Sequence, residues 1–134
     1  MKKKRIESRK EVDLLVRTFY SKVREDELLG PIFNKIITDW EEHFELLTDF
    51  WESNLFFTRK YYGNPLLAHV EVDRKIDNTT TEMHFGVWLN LWYQTIDELF
   101  EADDEKALAA KNRARHMGTS LYVNMFKSRT FNVK

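Results

Sequence analysis

Between Arg9 and Arg24 the apolar positions fall at helical spacing: Val12, Leu15, Val16, Phe19 and Val23. That rhythm predicts an amphipathic helix with one buried stripe. Tyr20, four residues after Val16, lies on the edge of the stripe. Gly30-Pro31 ends this unit, and Ile32, Phe33 and Ile36 predict a short turn of helix. A second long helix is expected over 39–57. His43, Leu47, Phe50 and Asn54 share one of its faces, with Trp51 and Leu55 alongside. A third is expected over 80–100, where Phe85, Trp88, Leu89, Trp92, Ile96 and Leu99 line one broad side. A fourth is expected over 104–126, with Leu108, Ala114, Met117, Leu121 and Phe126 facing inward. No strand pattern, internal repeat or low-complexity stretch competes. Two helical pairs, 9–57 and 80–126, predict an all-α sandwich in a single domain over 1–134.

Helix starts carry their own signals. Ser8 precedes Glu11, Thr38 precedes Glu41, and Thr79 precedes Glu82. In each pair the hydroxyl can accept from an unsatisfied backbone N–H while the carboxylate reaches back. Residues 1–7, which include Lys2, Lys3, Lys4 and Arg5, read as a basic solvated tail.

Between the helical pairs runs Tyr61-Tyr62-Gly63-Asn64-Pro65-Leu66-Leu67-Ala68-His69. Pro65 is well placed to open a short helix that carries His69. The stretch 70–78 is charged and non-periodic, and reads as a loop or a ragged helix end. A single histidine delivered from such a corner into an aromatic chain is one way to hold a haem iron. A lone histidine beside leucines is more commonly a packed or solvent-facing side chain. This segment leaves both readings open.

Composition narrows the field. Aromatic residues make up 14% of the chain, with ten Phe and four Trp. They supply either a Phe-rich core or a pocket for a flat apolar ligand. There is no cysteine, which excludes thiolate metal sites, a nucleophilic Cys and covalent haem attachment. Net charge is −1, so nothing calls for nucleic acid. No apolar run nears the ~18 residues of a membrane span. A cytoplasmic location is expected, and no membrane partner. Phosphate-binding loops, dinucleotide fingerprints and paired metal-binding Glu-x-x-His motifs are missing. One histidine among aromatics suits haem iron better than zinc, which takes three or four ligands.

A run of short motifs then falls in order: Phe19-Tyr20, Leu29-Gly30-Pro31-Ile32-Phe33-Asn34, Trp40-Glu41-Glu42-His43, Phe50-Trp51, Tyr61-x-Gly63-x-Pro65-x-x-x-His69, and His84-Phe85-x-x-Trp88-Leu89. In this order and spacing the chain resembles the bacterial truncated haemoglobins of the third group, over roughly residues 8–126. The resemblance implies a shortened globin, a two-over-two helical sandwich around non-covalent haem b. It implies that His69 is the proximal iron ligand and that Tyr20 and Trp88 are distal hydrogen-bond donors. His43 corresponds to a distal histidine that gates or orients; whether it also coordinates the iron stays open. Leu47 would cover the iron. Phe33, Phe50 and Phe85 match apolar walls of the haem pocket, and Arg59 and Tyr61 match positions that meet the haem propionates. The interval from His69 to Trp88 is longer than is common in the group, and the extra length falls in 70–78.

Read from packing alone, Tyr20 could be a core tyrosine, and Trp88 and Trp92 could be core tryptophans. Trp51 is most simply core. His84 reads as a capping or solvated residue, and His116 as an edge residue of the last helix.

The resemblance implies partners of small size: O₂, NO and CO at an iron that can be five-coordinate, and an unidentified reductase. A monomer or weak dimer is expected. Donors to a charged acceptor contribute roughly 1.5–3 kcal/mol each, and each ~1.4 kcal/mol is tenfold in dissociation. Two donors at O₂ therefore predict slow release, suited to redox, NO or peroxide chemistry rather than bulk transport. No dedicated enzyme motif is present. The alternative is a haem-free helical interaction or sensor module that retains the globin fold.

Overall fold

The computed structural model describes residues 3–58 and 81–132, with side chains as far as residue 120 and Glu82 excepted. Among the described residues five α-helices follow in chain order: α1 Arg9–Glu25, α2 Gly30–Ile36, α3 Trp40–Phe56, α4 Glu82–Leu99 and α5 Glu105–Asn132. The expected all-α class and helix order hold. Among the described residues no helix is long and apolar enough to cross a membrane.

The centre of the structure is α1. Its stripe of Val12, Leu15, Val16, Phe19 and Val23 is at most 1% exposed. This one helix carries α2, α3 and α4 against it. Ser8 caps its start as expected. Glu11 accepts from the Ser8 N–H at 2.8 Å and from the Glu7 N–H at 3.0 Å. At the other end Asp26 accepts from the Leu28 and Leu29 N–H groups, both at 2.9 Å, and so turns the chain.

Gly30-Pro31 opens α2 rather than only closing the preceding unit. Proline suits a first turn, where its missing N–H is not needed. A Cβ at Gly30 would stand 2.6 Å from the Arg24 carbonyl oxygen, so only glycine lets the backbones of α1 and α2 approach this closely.

The start of α3 differs from expectation. Asp39, not Thr38, caps it, accepting from the Glu42 N–H at 3.1 Å. Glu41 is drawn away to the Arg17 guanidinium in two bonds of 2.9 Å, and Arg17 also holds Asp13 at 3.0 Å. Arg9 ties α1 to α3 further along, bonding Asp49 and the buried Glu52 at 2.7 Å each. A carboxylate as buried as Glu52 requires such a cation beside it. At the end of α3, Phe57 takes a left-handed conformation, φ 58°. The Arg113 guanidinium donates to the Asn54 backbone carbonyl there, placing a cation where the helix dipole favours one.

α4 and α5 form the second pair. Their contact is made by alanines: Ala107, Ala110 and Ala114 are buried to 3% exposure or less. Leu108, expected inward, is 45% exposed. The small face of α5 is the one that fits, because Trp92 fills the space opposite it. The Trp92 indole donates to the Ala110 carbonyl at 3.1 Å. Ala114 is inward as expected, and Met117 is half-buried against the core. The side chains of Leu121 and Phe126 lie outside the described residues.

At the start of α4, His84 Nδ1 accepts from the Thr81 N–H at 2.9 Å, a capping role. Thr79, the expected cap, lies outside the described residues.

The basic tail expected over 1–7 is corrected in part. Lys3, Lys4 and Arg5 are exposed, but the backbone is docked. The Lys4 N–H donates to the Leu99 carbonyl and the Glu101 N–H to the Lys4 carbonyl, both at 2.9 Å. Ile6 is 3% exposed, and its N–H donates to Asp104 Oδ2 at 3.2 Å. The same oxygen accepts from the Ala107 N–H at 3.0 Å, so Asp104 caps α5 and pins the N-terminal segment. Asp104→Ala should lower stability by about 1–2 kcal/mol, whereas Asp104→Asn, which keeps an acceptor, should lose less than half of that. Urea unfolding midpoints of the two variants check the difference.

Candidate functional site

The local sequence brings an aromatic cluster together around one phenol. Tyr20 follows Phe19 on α1, and both are buried. Around the Tyr20 ring stand Phe19 at 4.9 Å, His43 at 5.2 Å, Trp40 at 5.7 Å, Phe33 at 5.8 Å and Phe44 at 6.2 Å between ring centroids. Three elements supply this ring: α2 through Phe33, the first turns of α3 through Trp40, His43 and Phe44, and α1 itself.

The fourth element supplies the polar partner. The Trp88 side chain of α4 is hydrogen-bonded to the Tyr20 side chain. An indole N–H can only donate, so the phenol oxygen accepts and the Tyr20 O–H proton remains to be given elsewhere. Burial pushes the phenol well above its usual value near 10, and the Trp88 hydrogen bond pulls it back only in part. At neutral pH Tyr20 is therefore a neutral donor.

His43 is half-buried, edge-on to Tyr20 at 84° and to Trp40 at 89°. It also lines an open hollow with Ile37, Thr38, Asp39, Glu42 and Leu46. It thus stands between Tyr20 and solvent. Leu47, Phe50 and Phe85 are half-buried, Leu47 and Phe50 on α3 and Phe85 on α4.

Of the residues expected at a site, Tyr20, Trp88, His43 and Phe33 converge. His69, Arg59 and Tyr61 lie outside the described residues. Trp92 and Trp51 are core residues, 1% and 4% exposed. Two neighbours of Tyr20 went unassigned in the sequence. Trp40 and Phe44 share the face of α3 that carries His43 and Leu47, and that spacing was the available signal. Trp40 is also held from outside by the Arg24 guanidinium, 4.4 Å over its ring.

A two-over-two arrangement of four long helices, with a tyrosine and a tryptophan joined by a hydrogen bond inside it, defines the class as a truncated globin. Comparison with known proteins agrees. The chain is 29% identical over 114 residues to the group 3 truncated hemoglobin ctb of Campylobacter jejuni, covering 81% of this chain and 86% of that protein. It superimposes on the crystal structure of a group III truncated hemoglobin from Campylobacter jejuni with a TM-score of 0.82 and 27% identity, over 95% of this chain and 98% of that one. No protein-family model matches the chain. By sequence and by fold the chain is similar to the truncated haemoglobins of the third group.

The state of Tyr20 has a measurable consequence. A phenol that stays protonated in the folded state binds a proton that the unfolded state has lost above pH ~10. Its contribution to stability is complete below that pH and falls as pH rises beyond it. Alkaline titration followed by phenolate absorbance should show a tyrosine that ionises only after exposed phenols have done so. Tyr20→Phe should remove that late component and no other.

Proposed function

We propose that this truncated haemoglobin holds haem b between α3 and α4, binds O₂, NO and CO there, and releases O₂ slowly. The residues fit such a group. Half-buried apolar side chains stand along α3 (Leu47, Phe50) and α4 (Phe85, Trp88), helices that lean on α1 more than on each other. A flat apolar macrocycle would cover them, at roughly 25 cal/mol per Å² removed from water. When bound, haem supplies an iron with one open coordination position.

The observation that carries this reading is the Tyr20–Trp88 pair sealed among aromatics. Trp88 donates to Tyr20, and this polarises the phenol O–H for a further acceptor. O₂ held in the pocket, partly negative on its outer atom, is such an acceptor. Beside so buried a phenol a charge-assisted bond is strong. His43, between Tyr20 and the outer hollow, would control entry and water. Leu47 would cover the iron, Phe33, Phe50 and Phe85 would wall the group, and Arg59 and Tyr61 would meet its propionates. His69 would hold the iron from the opposite side. A ligand retained this firmly suits reaction in place, such as oxidation of NO or peroxide chemistry with an external reductase, better than carriage.

Purified protein should take up hemin with a Soret band that follows it on a column. A colourless protein that takes up none would favour a haem-free helical module instead. His69→Ala should lose the group or hold it weakly; an unchanged five-coordinate ferrous spectrum in that variant would remove the proximal assignment.

Tyr20→Phe keeps the ring and deletes the hydroxyl. O₂ should then dissociate roughly tenfold faster or more. CO carries less charge on its outer atom and should respond far less. Equal changes for the two gases would indicate altered access rather than a lost hydrogen bond.

A further inference from the structure

Three indoles form a stack of which the O₂-binding role uses only the first. Trp88 and Trp92 on α4 are parallel within 1°, with centroids 6.3 Å apart. Trp92 and Trp51, across to α3, are stacked at 4.7 Å and 27°. Phe19 stands edge-on to both Trp88 and Trp92, at 5.8 and 4.9 Å. Aromatic packing is satisfied equally well by edge-to-face contacts, as Phe19 shows. Indoles this close do something more: an electron vacancy can hop from one ring to the next, over 6.3 and 4.7 Å between centroids. The first indole touches the pocket through its bond to Tyr20, and the last is buried 4% exposed in the core.

We propose that Trp88, Trp92 and Trp51 form a relay that draws a one-electron oxidising equivalent away from the haem pocket when hydrogen peroxide is the oxidant. This rests on the haem reading above. Reduction of H₂O₂ to two waters breaks the O–O bond and takes two electrons and two protons. One electron is drawn from the iron and one from the indole stack, with the protons coming from solvent. The stack is left as a radical cation, and two one-electron reductants of the ascorbate class restore indole and iron.

Local electrostatics gives the vacancy its direction. From Tyr20 the other way out is Trp40, 5.7 Å off and half-buried. The Arg24 guanidinium lies 4.4 Å over that ring and opposes positive charge on it. Among the described residues no cation lies over Trp88, Trp92 or Trp51. At Trp92 the indole N–H is bonded to the Ala110 carbonyl at 3.1 Å. An amide oxygen stabilises a charged N–H but is too weak a base to remove its proton. The vacancy therefore persists as a radical cation and is not trapped as the neutral radical.

The test mixes hemin-loaded ferric protein with hydrogen peroxide and reads it by freeze-quench electron paramagnetic resonance, with ring-deuterated tryptophan to assign the signal. Peptide mapping locates oxidised residues. A tryptophan radical is expected, and Trp92→Phe should reduce it at least tenfold while haem bleaching and oxidation of Tyr20 increase. Trp51→Phe, which leaves the Ala110 bond in place, covers the case in which Trp92→Phe does not fold. It should abolish oxidation at position 51 and leave the initial rate of peroxide consumption within twofold. A radical confined to tyrosine, or a tryptophan signal and oxidation map unchanged in both variants, overturns the relay while leaving haem binding intact. Failure to take up hemin at all, seen first as a missing Soret band, overturns the haem reading and the relay with it.

Discussion

Everything in this structure leans on the apolar stripe of α1. Five side chains, Val12, Leu15, Val16, Phe19 and Val23, are removed from water almost completely. Each such burial contributes roughly 1.5–3 kcal/mol. More important is how many partners the stripe serves. A single helix packs against α2, α3 and α4. That leaves α3 and α4 positioned chiefly by a common support, with the Trp51–Trp92 stack joining them.

Tyr20 stands where this support meets the pocket. It is one residue beyond Phe19, so the same backbone that fixes the core fixes the phenol. Its burial would leave a hydroxyl at a cost of roughly 1–3 kcal/mol if it had no partner. Trp88 offsets part of that cost by donating to the oxygen, which leaves the phenol proton available to a further acceptor. The two side chains come from α1 and α4, whose packing sets their separation. The geometry of the pair is therefore as rigid as the core, which is what the proposed site would need to hold its geometry through ligand exchange.

Much of this was legible in the chain. The stripe of α1 is written in β-branched, leucine and phenylalanine residues at helical spacing, and no other local reading competes. The motifs that place Tyr20, His43 and Trp88 in one site were legible through resemblance. What the chain did not reveal depends on distant partners. Thr38-Asp39 followed by Glu41-Glu42 offers two capping pairs in succession; only the position of Arg17 on α1, which claims Glu41, decides between them. Leu108 was a reasonable inward residue by hydrophobicity, but the bulk of Trp92 selects the alanine face of α5 instead. The docking of Lys4 and Ile6 rests on Leu99, Glu101 and Asp104, far along the chain. The donor–acceptor order between Trp88 and Tyr20 appears only in three dimensions.

Charge is arranged to leave the interior to those few polar groups. Arg9, Arg17, Arg24 and Arg113 act from the outside inward, each joining elements or covering a ring, with Arg17 over Phe44 at 5.0 Å and Arg24 over Trp40 at 4.4 Å. Their cationic heads stay near water while their contacts brace the aromatic wall. The same placement divides the aromatic residues electrically. Those on the outer wall carry a cation over the face, and Trp88, Trp92 and Trp51 do not. Positive charge on the wall rings would be opposed by these guanidiniums, and positive charge on the stack would not. The arrangement that stabilises the fold from its surface would thus also decide which aromatic residues take part in the redox chemistry proposed for it.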